Sequence, residues 1–382
     1  MSVGTPEFLL EGQYVAEAET GAVAEIAARS PTQLFARRFR GDPVAIVSFG
    51  FIAALILAAI FAPLIVKLVG APGPNVQNTL ALNQQFGTPT GPSSGALGPF
   101  IVLGIGAAVA LGCLALPWAL ARRRIAPAIG TIALIAAIVL AASNWPNAHH
   151  LFGVDPLGRD VFARVLYGAR VSMEVALIAT GISMLIGVVA GMVAGYYRGG
   201  VDTVISRTVD VLLAFPILLL ALGLAAACSN AAGCVGGLIK PGLTNVIFVI
   251  AFVNWTYIAR IVRGQVLSLR EKEFVEAARS LGASNRRIIF KELLPNLVVP
   301  IIVYSTLIIP QNILFEAALS FLGVGVQPPQ ASWGAMLADA TSISGSAWWY
   351  MVFPGAALLL TVLAFNLVGD GLQDALHPKG RN

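Results

Sequence analysis

The feature that most constrains this chain is its succession of apolar runs, each close to the ~20 residues that a helix needs to cross about 30 Å of hydrocarbon. Eight can be read, at residues 45–68, 98–119, 125–143, 171–195, 208–227, 243–262, 297–318 and 349–369. A lipid interior offers backbone N–H and C=O groups no water, so such runs become helices that close their hydrogen bonds internally. The expected fold class is therefore all-α, a polytopic membrane protein with about eight transmembrane helices. Composition agrees: of 382 residues 57% are hydrophobic and only 11% charged, with a mean hydropathy of +0.81, whereas soluble domains carry about a quarter charged residues. The run at 125–143 is the shortest, and a buried or re-entrant helix is its alternative reading.

Basic residues set the expected orientation. Arg37, Arg38 and Arg40 precede the first run, Arg122 to Arg124 separate the second from the third, and Lys379 and Arg381 follow the last. Cytoplasmic loops carry such an excess, which places both termini, Arg198, Arg207 and the segment 263–291 on the cytoplasmic side. The uncharged, Pro- and Gly-rich loop 71–98 then falls outside. The net charge of +5 belongs to these flanks, so it speaks for orientation in a membrane and against nucleic acid as a partner. Residues 1–44 read as a cytoplasmic tail rather than a cleavable leader, because Glu7, Glu11, Glu17, Glu19 and Glu25 occupy the place of a basic start and apolar core.

The connection 143–170 resists the charge rule with Arg159, Arg164 and Arg170, offset by Asp155 and Asp160. Apolar residues at helical spacing after Gly158 predict a short amphipathic helix along the outer interface, ahead of a separate span at 171.

The most informative segment is soluble and lies between two apolar runs: Glu276-Ala277-Ala278-Arg279-Ser280-Leu281-Gly282, then Leu294-Pro295. This spacing resembles the EAA loop of bacterial ABC-importer permeases, with Glu292 where that loop usually has isoleucine. A second stretch, Gly153-Val154-Asp155-Pro156-Leu157-Gly158-Arg159-Asp160 with Tyr167-Gly168-Ala169-Arg170, resembles the entry to the core of the dipeptide and oligopeptide (and nickel) importers. Together with Leu34 to Arg40 and Phe315-Glu316-Ala317-Ala318-Leu319-Ser320-Phe321-Leu322-Gly323, it is similar to their C-type permease subunit. The resemblance covers about residues 32–68 and 150–378 and implies a type I importer permease core.

The family usually has six spans, so the two runs around Arg122 to Arg124 read as an inserted hairpin, which leaves the sidedness of later loops unchanged. The domain organisation expected is a tail (1–44), a first helix (45–68), an external loop plus hairpin (69–149) and the core (150–382) with its coupling loop at 263–296.

The resemblance implies an ATP-driven importer. No G-x-x-x-x-G-K-S/T phosphate loop is present, so this chain is expected to be a transport subunit and not an enzyme. It should hold no cofactor, with ATP and Mg bound by two partner ATPase subunits. A homologous B-type permease and an extracytoplasmic substrate-binding protein complete the implied partners, in lipid of the bacterial plasma membrane. In that picture residues 272–291 form two short helices at an angle. Gly282 permits the turn, Ser284 caps the second helix, and Pro295 begins the next span. Glu276, Ala277, Ala278, Arg279, Gly282, Arg286, Arg287, Leu294 and Pro295 are the candidate ATPase-coupling residues. Dipeptides or oligopeptides are the expected cargo, nickel chelates or another small solute the alternative. An ion-coupled secondary transporter, the other class, would need intramembrane carboxylates as coupling sites.

Polar groups at membrane depth are few. Asn254, Gln311 and Asn312 either hydrogen-bond between helices or line a pore. Glu316 lies near the outer end of its run and is expected to reach the interface. Cys228 and Cys234 share an external loop, where a disulfide is one reading and two free thiols the other. His149 and His150 are adjacent, without metal-ligand spacing, and no metal site is expected.

Overall fold

A computed structural model describes Phe35 and residues 38–83, 87–92, 150–229, 233–234 and 236–376. The rest of the N-terminal tail, the runs at 98–119 and 125–143 with the arginines between them, and residues 377–382 lie outside the described residues. Among the described residues there are helices and isolated bridges but no strand. All six described apolar runs are helical. Among the described residues five helices are long and apolar enough to span a membrane, six if a bent pair is taken as one span.

The first helix, α1 (Pro43–Ile60), starts where its sequence says it should. The Asp42 carboxylate accepts the Val44 and Ala45 amides at 2.9 and 3.2 Å, and Pro43 occupies the first turn, where a missing N–H costs nothing. A short α2 (Ala62–Val69) continues it and stops at Gly70.

The next helix, α3 (Val161–Tyr197), corrects the expectation of a short interfacial helix before a separate span. It is one helix of 37 residues, because no proline interrupts residues 161–197. Its start is an ionic knot. Asp160 caps it by accepting the Ala163 amide at 2.7 Å, and His150 Nδ1 lies 3.1 Å from the same carboxylate. Arg159 and Arg164 fold inward onto Asp155 at 2.6 and 3.6 Å. Arg164 also donates to the Pro74 carbonyl at 3.2 Å, so the loop after α2 is docked here. Burial pushes the Asp160 carboxyl above its ordinary range, against the opposing pull of His150 and the Ala163 amide. Arg159 and Arg164, two of the three arginines that resisted the charge rule, are thus buried and paired inside protein, where the statistics of solvent-exposed loops do not apply, while Arg170 is exposed.

The run expected as one straight span at 208–227 is two helices, α4 (Gly199–Ala214) and α5 (Ile217–Ala227), bent by 90°. Pro216 supplies the break: it has no N–H to donate and disfavours helical geometry at Phe215, whose backbone is extended. The remaining elements are α6 (Leu243–Arg270), α7 (Glu273–Ser280), α8 (Asn285–Phe321), α9 (Trp333–Thr341) and α10 (Trp348–Leu376).

At the centre, α3 lies against α6 along a stripe of small residues at every fourth position: Ala179, Ser183, Gly187, Gly191 and Gly195. A Cβ on Gly187 would sit 2.6 Å from Ile258 Cβ, and one on Gly191 would sit 2.6 Å from the Ala259 carbonyl oxygen. Between lipid-embedded helices water drives no association, so close backbone approach over small side chains supplies the contact. On the other side, Ile52, Met173, Ile313, Trp333 and Phe365 join α1, α3, α8, α9 and α10 in a second apolar cluster.

Candidate functional site

The charged segment 271–296 forms a structured projection at one end of the bundle. In α7 the apolar Val275 is fully buried, while Glu276, Ala277 and Arg279 are exposed and Ala278 is half-buried. The chain then turns at Gly282, whose φ of +77° is one that a β-carbon disfavours. Ser284 caps the next helix by accepting the Arg287 amide at 3.4 Å. Arg286 and Arg287 are exposed on its first turn.

Here the structure departs from two short helices. The second is continuous with the following span as α8, a helix of 37 residues, and Pro295 lies within it rather than at its start. Residues Ile288–Leu293 are π-helical. The Leu294 amide donates to the Ile289 carbonyl, and the Asn296 side chain donates to the Glu292 carbonyl at 2.7 Å. This local widening lets a helix pass through a residue that has no N–H and would crowd the preceding turn. Glu292 and Leu294 are half-buried and Pro295 is exposed.

Two kinds of contact fix the projection to the bundle. Val275, Ile288, Leu293 and Leu297 are buried in a cluster with Met192, Tyr196, Val262 and Val266 of α3 and α6. Tyr196 donates its hydroxyl to Asn285 at 2.8 Å, and Arg198 pairs with Glu271 at 2.5 Å. What remains outside is a small surface with Leu281 at its tip, 88% exposed. Arg279, Arg286 and Arg287, near it in sequence, are exposed as well.

The polar residues within the bundle divide in two. Asn254 donates to Asn312, which donates in turn to Thr180 at 2.7 Å, so a short chain of hydrogen bonds joins α6, α8 and α3. Gln311 is exposed. Glu316 does not reach the interface as expected. It is fully buried, and accepts hydroxyl hydrogen bonds from Ser172 at 2.7 Å, Ser320 at 2.9 Å and Ser332 at 2.7 Å. The expectation failed because height along a helix says nothing about which neighbours surround that level. Cys228 and Cys234 are joined by a disulfide.

Sequence reasoning missed the ion pairs between α4 and α6. Arg263 holds Asp202 through two bonds of 2.5 and 2.7 Å, and Arg260 holds Asp210 at 2.6 Å. The spacings carried the signal: Asp202, Ser206 and Asp210 recur every fourth residue and Arg260 and Arg263 three apart, each set on one helical face.

The described residues form a polytopic bundle of helices with one charged, solvent-facing turn at Gly282, and the comparisons with known proteins define the class: a transporter membrane subunit. The family described as binding-protein-dependent transport system inner membrane component matches residues 187–382, and the N-terminal TM domain of oligopeptide transport permease C matches residues 30–85. The chain belongs to the first of these families and is a permease subunit of an ABC importer.

A dipeptide transport system permease protein of Alkalihalophilus pseudofirmus is 46% identical over 234 residues, which is 61% of this chain and 73% of that protein. One from Bacillus subtilis is 47% identical over 238 residues, 62% and 71% of the two chains. A glutathione transport system permease protein of Pectobacterium atrosepticum is 43% identical over 234 residues, 61% and 74%. Among solved structures, an inward-facing methionine ABC transporter aligns with 56% of this chain and 97% of that chain, at 19% identity and a TM-score of 0.48.

Proposed function

We propose that this chain forms one half of the membrane channel of a peptide importer and is driven by two ATPase subunits seated on the segment Glu276 to Pro295. The observation that carries the proposal is the division of that segment: Val275 and Ile288 are wholly buried in the bundle while Leu281 is 88% exposed. One face is fixed to the spans and the other is free for a partner. Glu276, Ala277, Ala278 and Arg279 form the approach surface, Gly282 the turn, Arg286 and Arg287 the charged flank, and Leu294 and Pro295 the passage into α8.

In this reading ATP and Mg reside in the partner subunits. Their closure on ATP draws this projection and that of a homologous B-type permease together, and the spans carry the movement as a switch between inward and outward access. A substrate-binding protein delivers cargo from outside, and both termini lie in the cytoplasm. Short peptides are the cargo class, on the strength of relatives named for dipeptide, peptide and glutathione transport.

The test is uptake by cells carrying Gly282→Pro or Glu276→Lys. Both variants should insert in the membrane and fail to import. Wild-type import by both overturns the coupling role. Receptor-dependent stimulation of ATP hydrolysis by peptides, measured on the reconstituted complex, tests the cargo, and stimulation only by a non-peptide displaces it.

A further inference from the structure

We infer that the groove between α4 and α6 binds the headgroup of an anionic phospholipid, one with a single net negative charge such as phosphatidylglycerol. The inference rests on the chain's lying in a membrane and not on its role in import.

The groove stands at headgroup level. Arg263 lies twenty residues after Leu243, the first residue of α6, about 30 Å at ~1.5 Å per residue, which matches the ~30 Å of hydrocarbon. Arg260 stands one turn nearer the hydrocarbon. A cavity of about 350 Å³ opens there, lined by Asp202, Ser206, Arg207, Asp210, Arg260 and Arg263.

Its charges do not cancel. Asp202 is taken by Arg263 and Asp210 by Arg260, whereas Arg207 is exposed and has no ion pair among the described residues. Three guanidiniums against two carboxylates leave one positive charge, which one phosphodiester neutralises. Arg207 can present its planar fork to two phosphate oxygens. Arg260 meets Asp210 through Nη2, which leaves Nε and Nη1 to donate to the same phosphate.

Apolar side chains continue the groove toward the hydrocarbon. Along α4, Asp202, Ser206 and Asp210 recur every fourth residue toward α6, while Val204, Val211 and Phe215 lie on the opposite face, each more than half exposed. A helix divided in this way suits a membrane interface. Arg207 stands at the border of the two faces, one turn from Val211. The chain then bends by 90° into α5, where Leu218 and Leu219 are exposed as well. A soluble phosphate fills the polar end and leaves these side chains uncovered. A lipid satisfies both, with its phosphate in the groove and its acyl chains along Val211, Phe215 and Leu219. Basic pockets between helices hold anionic headgroups in this manner, and the added ammonium of phosphatidylcholine cancels the charge on which the match depends.

The experiment uses the full chain with the subunits that co-purify with it, in phosphatidylcholine nanodiscs, in a Cys113→Ala background that leaves the Cys228–Cys234 bond in place. Bimane on Val211→Cys reports on the groove, and bimane on Leu185→Cys, 68% exposed on α3, reports on bulk lipid. Phosphatidylglycerol with a doxyl quencher close to its glycerol should quench the Val211 label about five-fold more than the same quencher on phosphatidylcholine, the preference that one basic residue confers beside anionic lipid. At Leu185 the two lipids should quench equally. Arg207→Ala should abolish the preference at Val211. Arg40→Ala, which removes an exposed arginine ahead of α1, should leave it intact.

Equal quenching by the two lipids at Val211, or a preference lost equally in Arg40→Ala, overturns the site in favour of general attraction to a basic surface. Quenching by neither lipid overturns it as well, because a subunit then covers the groove. Loss of the preference in excess inorganic phosphate, at matched ionic strength, assigns the groove to a soluble anion and overturns the lipid.

Discussion

The Ser172 hydroxyl donates to Glu316 Oε2 at 2.7 Å, joining α3 to α8 across 144 residues of sequence. Ser320 and Ser332 supply two more donors to the other oxygen, so one carboxylate gathers three elements. Replacing Glu316 by Ala strands three buried hydroxyls, and the expected loss is about 2–4 kcal/mol. Replacing Ser172 by Ala removes one donor and is expected to cost about 1–2 kcal/mol. Thermal melting of the purified complex checks both, and a melting temperature unchanged in Glu316→Ala contradicts the account.

The stripe on α3 predicts a sharp contrast between two glycines of one helix. Gly191→Ala places a methyl 2.6 Å from the Ala259 carbonyl oxygen, whereas a Cβ on Gly181 meets nothing within 4 Å. Gly191→Ala should cost about 1–3 kcal/mol by forcing the helices apart, and Gly191→Leu should prevent accumulation in the membrane. Gly181→Ala should be neutral or slightly stabilising, since it removes backbone freedom from a helix interior. Membrane abundance and melting temperature of the three variants decide the matter.

These cases mark what was legible in the sequence. Local signals translated directly: Gly282 made the expected turn and Ser284 capped the helix after it. Hydropathy located all six described spans, because water's absence acts on a run of residues wherever it lies. Partners far apart in sequence were not legible. Nothing near Glu316 announces Ser172, and Arg260 sits 50 residues from Asp210. The break at Pro216 escaped the reading of 208–227 as one span, because the apolar run around it is long enough to cross without interruption.

Beside the Gly282 turn, Leu281→Asp replaces an apolar side chain that is 88% exposed. Folding should be unaffected, since that side chain stands clear of the bundle. Under the proposed role, co-purification of ATPase subunits and peptide-stimulated ATP hydrolysis should both fall. Full retention of both in this variant would assign the docking energy to the arginines instead.

The Cys228–Cys234 bond predicts a simple thiol count. Denatured without reductant, the chain should take up maleimide at Cys113 alone, and after reduction at all three cysteines present. Three adducts without reductant, in protein taken directly from membranes, would contradict the bond.

Ser284, which caps the turn after Gly282, and Glu316 lie near opposite ends of α8 (Asn285–Phe321), whose early part includes the π-helical residues Ile288–Leu293. The 31 residues from Asn285 to Glu316 span about 46 Å, so a tilt of about 10° imposed at one end displaces the other by about 8 Å. Under the proposed coupling role, that helix would serve as a lever with its short handle in the segment 271–296. Glu316, held by hydroxyls from α3 and from the cap of α9, would then sit where the stroke arrives, and the hydrogen bonds that stabilise the bundle would also be those that the stroke must carry along or break.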